Sequence, residues 1–193
     1  MFSLEDRELV EKVVLGDFEA FEELFNKYKT TAMKTAYLIC SNKDTSEDIV
    51  QETFVQCYLN IHNLKNPDYF KPWFYKILTR IAWKLSKSDN KNIPIEEIFS
   101  KTEKALNSEK DAMSLCLENE RLDLIRNTIN SLDEKYKTVV ILYYFNGFSI
   151  KEIANMLEIF EGTVKSRLFK ARKILKGKIV SLNYFGGVGC EKG

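Results

Sequence analysis

The stretch SIKEIANMLEIFEGTVKSRLFKARKILK, residues 149–176, decides how this chain folds. Ser149 followed three residues later by Glu152 is a capping box, in which each side chain satisfies the other's backbone N–H at a helix start. Ile150, Ile153, Ala154 and Leu157 then recur at helical spacing and predict a short helix with one apolar face. A brief connection leads to a second helix, expected from about Glu161 to Ile179. There Val164, Leu168, Ala171 and Leu175 form one stripe. At about 100° per residue, the opposite side carries Gly162, Ser166, Phe169, Lys170 and Lys173. Between Thr163 and Lys178 stand Lys165, Arg167, Lys170, Arg172, Lys173, Lys176 and Lys178, with no acidic residue among them. A short capped helix, a tight turn and a second helix buried on one side only make a helix-turn-helix. Its cations suit DNA phosphates, and the polar side chains near the start of the second helix suit base edges in the major groove.

The charge balance of the rest of the chain supports that reading. The 193 residues carry a net charge of +1, but residues 1–132 hold −4 and residues 133–193 hold +5. Such asymmetry places a nucleic-acid contact at the basic end. Cys40, Cys57, Cys116 and Cys190 are far apart and His62 is the one histidine, which is neither a zinc pattern nor a disulfide framework. There is no GxxxxGK[ST], and Phe185-Gly-Gly-Val-Gly-Cys190 lacks the lysine a phosphate loop needs. No nucleophile–base pair stands out, so the expectation is a non-enzyme with no cofactor, no metal and no small-molecule substrate. The opening MFSLEDRELVEK is acidic rather than signal-like, and no apolar run approaches the roughly 18 residues of a membrane span. A cytoplasmic protein with reduced thiols is expected.

Helical signals dominate elsewhere. Ser3 with Asp6 predicts a first helix ending near Gly16. Asp17 predicts the cap of a second, with Phe18, Phe21, Phe25, Tyr28, Ala32, Ala36 and Ile39 as its buried stripe. Thr45 with Asp48 predicts the start of a third, reaching about Asn60. A fourth is expected from Lys71-Pro72 to about Ser86, since proline is tolerated in a first turn. Residues 87–108 lose the apolar period around Pro94, with one helical turn expected at Glu96–Ser100. Helix resumes from about Glu109 to Ser131, and Asp133 caps another that ends at Phe145 before Asn146-Gly147. The glycine-rich tail from Asn183 is expected to fray. The fold class is all-α: two helical domains, 1–87 and 110–181, joined by a flexible linker at 88–109 and followed by a tail at 182–193.

Two further segments carry chemistry. In the fourth helix Lys76, Arg80, Lys84 and Lys87 share one face, and Trp73, Ile77 and Ile81 share another. Cations interleaved with aromatics suit melted DNA, where bases leave the stack; the alternative is a plain amphipathic helix with core tryptophans. In Ser46-Glu-Asp-Ile-Val-Gln-Glu-Thr-Phe54, Asp48, Gln51 and Glu52 fall on one exposed turn, while Ile49, Val50 and Phe54 are available for burial.

Taken in order, these segments resemble the extracytoplasmic-function (ECF) sigma factors of bacterial RNA polymerase, in the sigma-70 family. The carriers are GDFEAFEELFNKY at 16–28, SEDIVQETF at 46–54, FKPWFYKI at 70–77, LDEKYKTVVILYYFNGFSIKEIANML at 132–157 and GTVKSRLFKARKIL at 162–175. The resemblance implies sigma region 2 in the first domain and region 4 in the last. It implies that Asp48, Gln51 and Glu52 hold the β′ clamp helices of core RNA polymerase, a partner that also includes the β subunit. The loop at 63–68, with Asn63, Lys65 and Asn66, and the helix bearing Trp73, Lys76, Arg80 and Lys84 would capture −10 bases flipped from melted promoter DNA. Lys165, Ser166, Arg167, Phe169, Lys170 and Lys173 would meet the −35 duplex, with Phe169 placed to touch a thymine methyl. Control by an anti-sigma factor, in some members membrane-anchored, is implied as well. The chain departs from the family's pattern at Glu158 and Phe160, where members often carry glycine and a Ser or Pro. A left-handed non-glycine residue and a missing cap should each cost about 1 kcal/mol. A dimeric repressor would share the helix-turn-helix but needs a dimerisation or ligand domain that residues 1–87 do not suggest.

Overall fold

The computed structural model describes residues 4–86 and 127–186. Ser3, Lys87, the linker at 88–109, most of the helix expected at 109–131, Cys116, Cys190 and the tail beyond 186 lie outside the described residues. The chain divides into two compact units, one built on the residues before about 101 and one on those after, with 155–158 grouped with the first. Among the described residues every regular element is helical, and no helix is long and apolar enough to cross a membrane.

The first unit contains α1 (Leu4–Val14), α2 (Phe18–Cys40), α3 (Lys43–Asn60) and α4 (Phe70–Ser86), with 3-10 turns at Ile61–Asn63 and Pro67–Tyr69. Gly16, at φ +94°, closes α1 in the left-handed conformation that glycine adopts without strain. Asp17 then caps α2 at once, its Oδ1 accepting from the Ala20 N–H at 3.1 Å. α2 ends at left-handed Ser41, and the next cap is Asn42, whose Oδ1 accepts from Thr45 N–H at 2.9 Å and Thr45 Oγ1 at 3.0 Å. The third helix therefore begins before Thr45, which is a buried partner of the cap. The fourth begins at Phe70, just before the expected Lys71-Pro72, and keeps Pro72 in its first turn.

The core of this unit is aromatic. Phe54 of α3, Tyr28 of α2, and Phe70 and Tyr75 of α4 all lie with ring centres 5.0–5.9 Å from Phe74. The predicted stripe on α2 holds from Tyr28 onward but not before it. Ala20 and Leu24 are buried, while Phe18 is 64% exposed and Phe25 is exposed as well. Three phenylalanines make this end of α2 wider in apolar surface than the core can take. They pack instead on the side of α3: Phe21 lies 4.9 Å from Tyr58, Phe25 4.6 Å from Phe54, and Phe18 6.4 Å from Tyr58. Ion pairs fix α1. Lys27 meets Glu5 at 2.7 Å and Asp6 at 2.8 Å, and the Tyr28 hydroxyl donates to Asp6 at 2.7 Å. Burial first, and then the Asp6 carboxylate, hold the Tyr28 hydroxyl well above its ordinary pKa. Arg7 reaches Asp68, at 3.6 Å, in the second 3-10 turn.

The second unit contains a helical turn at 127–130, α5 (Glu134–Val140), a π-helical turn at Ile141–Phe145, α6 (Ile150–Leu157) and α7 (Glu161–Gly186). The expected helix from Asp133 to Phe145 is thus two pieces. Asn146 N–H bonds back five residues to Ile141 C=O at 3.0 Å, and the turn widens. Asp133 occupies the cap position, but its carboxylate makes no capping bond. The last helix continues beyond the expected Ile179 to Gly186, so residues 182–186 of the expected tail are helical. α5 packs on α7, and Val139, Leu142, Ile153, Val164, Leu168 and Ala171 form the core.

Burial in the first unit pushes the Cys57 thiol from 9.0 up to about 12. Above pH 9 the unfolded chain releases this proton and the folded chain does not, so stability falls as pH rises, by about 1.4 kcal/mol per unit from this group. Denaturant unfolding should show a steeper loss between about pH 9 and 11 in the wild type than in Cys57→Ala; parallel losses would contradict the assignment.

Candidate nucleic-acid interface

The helix-turn-helix forms as its local chemistry requires. The Ser149 hydroxyl accepts from the Glu152 N–H at 3.3 Å, and Glu152 Oε2 accepts from the Ser149 N–H at 2.8 Å, which completes the capping box. Ile153, Ala154, Met156 and Leu157 are buried. Met156 joins the expected face, and Ile150 is only half-buried. At the turn Glu158 takes φ +56°, and Ile159 N–H bonds to Ala154 C=O at 3.0 Å. This is a glycine-type helix termination carried by a glutamate. Phe160 occupies the cap position of α7 and is 86% exposed; its carbonyl accepts from Thr163 and Val164.

α7 is buried on one side only. Val164, Leu168 and Ala171 are buried and Leu175 is half-buried, as the stripe predicts. Lys165, Ser166, Phe169, Lys170 and Lys173 are exposed, and Arg167 is half-buried at the edge. Phe169, at 71% exposure, is a large apolar side chain presented to solvent from the middle of a basic surface. Ser166 Oγ donates to Thr163 C=O at 3.0 Å, which leaves its lone pairs free to accept. Two cations are held by aromatics that the sequence did not single out. Lys170 Nζ lies 5.6 Å from the Tyr136 ring centre, and Arg172 Nε donates to the Tyr144 hydroxyl at 2.6 Å.

In the first unit Asp48, Gln51 and Glu52 are all exposed on α3, with Ile49, Val50 and Phe54 buried beneath them. Glu52 accepts from Gln56 Nε2 at 2.9 Å, which holds its carboxylate along the helix. Exposed Val55 and Leu59 continue the same face by one and two turns. Asn63, at the end of the first 3-10 turn, and Lys65 and Asn66, in the connection to the second, are exposed. Asn66 Oδ1 accepts from the Asp68 N–H at 3.0 Å, so its oxygen shapes the loop. On α4 the buried line is Phe70, Phe74, Leu78 and Ala82. Trp73, Ile77 and Ile81 are half-buried beside it, with Trp73 6.1 Å from Phe70. Trp73 is thus not a core residue but the edge of an accessible aromatic surface. Lys76 is half-buried, and Arg80 and Lys84 are exposed. Among the described residues no cluster of His, Cys, Asp and Glu could hold a metal ion.

A helix-turn-helix with a basic second helix, together with an acidic helical turn and an aromatic–basic helix in the first unit, is the arrangement of a DNA-binding helix-turn-helix protein. Residues 24–89 match the family model of sigma-70 region 2, and residues 122–175 match that of sigma-70 region 4. The ECF RNA polymerase sigma-E factor of Haemophilus influenzae is 30% identical over 187 residues, covering 93% of this chain and 97% of that protein. In fold the chain is similar to CnrH, solved in complex with the cytosolic domain of CnrY (TM-score 0.68, 21% identity, 92% of this chain and 98% of that one). It is also similar to the sigma factor RpoE, solved with the anti-sigma factor NepR from Bartonella quintana (TM-score 0.65, 19% identity, 82% and 96%). This chain belongs to the ECF sigma factors of the sigma-70 family.

The left-handed positions Glu158 and Gly147 give opposite expectations. Glu158→Gly should raise the unfolding free energy by up to about 1 kcal/mol by relieving the turn. At Gly147, φ +74°, an added Cβ meets nothing within 4 Å. Gly147→Ala should therefore lower stability by about 1 kcal/mol from backbone strain alone. Thermal unfolding of the two variants checks this, and shifts in the same direction would contradict it.

Proposed function

We propose that this chain binds core RNA polymerase and directs it to promoters through two DNA contacts, one on each unit. The observation that carries this is the one-sided burial of α7, which leaves Lys165, Ser166, Phe169, Lys170 and Lys173 exposed on a stretch with no acidic residue after Glu161. Cations on such a surface neutralise phosphates, Ser166 offers an acceptor to a base edge, and Phe169 suits a thymine methyl of the −35 duplex. On α4, half-buried Trp73 offers an aromatic ring for an unstacked base, while Lys76, Arg80 and Lys84 follow the strand. Asn63, Lys65 and Asn66 add donors from the adjoining loop, where a flipped −10 base can be read on its edge. Asp48, Gln51 and Glu52 form the polar part of a surface for the β′ clamp helices, and the β subunit completes the partner.

The domains follow as region 2 in residues 1–87, a linker at 88–109, region 4 in 110–181 and a tail at 182–193. The chain acts in the cytoplasm as a binding protein, not an enzyme. Control by an anti-sigma factor is part of the proposal; the like-folded sigma factor RpoE was solved with one.

Core binding tests the polymerase face directly. Combined Asp48→Ala, Gln51→Ala and Glu52→Ala should weaken affinity for core polymerase about tenfold or more, because a few central residues carry most of an interface's energy and their loss leaves partner groups unpaired. All three side chains are exposed, so the thermal unfolding midpoint should stay unchanged. Undiminished core affinity would remove this face from the proposal.

A further inference from the structure

On α7, the Arg172 side chain is fixed by a hydrogen bond to another element. Its Nε donates to the Tyr144 hydroxyl at 2.6 Å, and its Cζ lies 5.7 Å from the Tyr144 ring centre. That combination sets the guanidinium at the hydroxyl end of the ring rather than over its face. Behind it, Tyr143 packs edge-on to Tyr144 at 5.0 Å and 81°. Both tyrosines come from the π-helical turn, whose extra residue per turn carries Tyr144 outward; Tyr144 is 56% exposed and Arg172 is exposed. On α7, Arg172 follows Lys165 by seven residues and precedes Lys176 by four, so the three share one flank beside the outward face.

We propose that Tyr144 is a positioning residue that holds Arg172 extended toward a backbone phosphate at the edge of the −35 major groove. The chemistry of the pair fits an anion. With Nε engaged, Arg172 keeps four N–H donors on its two terminal nitrogens, a planar fork that matches two phosphate oxygens. The Tyr144 hydroxyl accepts from Nε and so keeps its own proton to donate to the same group. A free arginine loses rotamer freedom on binding, whereas this one has already lost it in the free protein, which lowers the cost of contact. A structural tie is the competing explanation. It is weak, because a bond between two exposed side chains adds little to stability.

The inference rests on the assignment of α7 to the −35 duplex, so the experiment separates the two. Holoenzyme assembled from core polymerase and the full chain is titrated with duplex from the promoter of the chain's own operon, over a series of salt concentrations. Arg172→Ala should lower affinity and reduce the steepness of log K against log salt by about 0.9, the signature of one lost phosphate contact. Tyr144→Phe keeps the ring and removes the hydroxyl; it should lower affinity about threefold to tenfold with an unchanged melting temperature. Adding Tyr144→Phe to Arg172→Ala should cost nothing more, because the tyrosine acts through the arginine. Wild-type affinity in Tyr144→Phe, or losses that multiply in the double variant, would overturn the proposal. Lys165→Ala is the control for α7 itself. If it and Arg172→Ala both leave affinity and salt slope unchanged, the −35 assignment fails, and this inference fails with it.

Discussion

The ring of Phe74 sits where α2, α3 and α4 meet, and the first unit is organised around it. Tyr28 reaches it from α2, Phe54 from α3, and Phe70 and Tyr75 from its own helix, all within 5.9 Å between ring centres. Edge-to-face and tilted packing of this kind contributes about 0.5–1.5 kcal/mol per pair beyond burial. It also fixes how the helices are rotated. Because Phe54 and Phe74 face inward, Asp48, Gln51 and Glu52 on α3 face outward, and Trp73 and Arg80 lie at or beyond the edge of the core on α4. One apolar junction therefore orients both surfaces proposed to meet polymerase and melted DNA.

The second unit applies the same principle with less material. Val164, Leu168 and Ala171 hold one side of α7 in the core, where it packs on α5, and Lys165, Ser166, Phe169, Lys170 and Lys173 are exposed on the other. The capping box at Ser149 and Glu152 secures the entry to α6, but the exit is made with strain, through Glu158 at φ +56°. A turn of this shape with a glutamate in it costs about 1 kcal/mol relative to an unstrained residue. The one-sided core absorbs that cost, and the helix-turn-helix geometry survives it.

How much of this was legible in the sequence depends on how local the cause is. The capping box and the Asp17 cap involve residues three apart, and both form as predicted. The stripe on α7 was legible because polar residues bound it on both sides. On α2, Phe18, Phe21 and Phe25 widen the apolar surface beyond one stripe, and periodicity alone could not tell that Ala20 and Leu24 would face the core. Asn42, not Thr45, caps α3, a choice settled by left-handed Ser41 just before it. The π-helical turn left no mark in the apolar pattern. The Tyr144–Arg172 bond spans 28 residues and depends on that turn, so no local signal announces it.

The chain belongs to the ECF sigma factors, and the proposed contacts follow from which side chains its two cores leave exposed. Run-off transcription from the promoter of the chain's own operon tests that account most directly. Core polymerase plus this protein should yield a discrete transcript, and neither component alone should. No transcript with core enzyme, together with tight binding of a palindromic duplex by the purified chain alone, would contradict it.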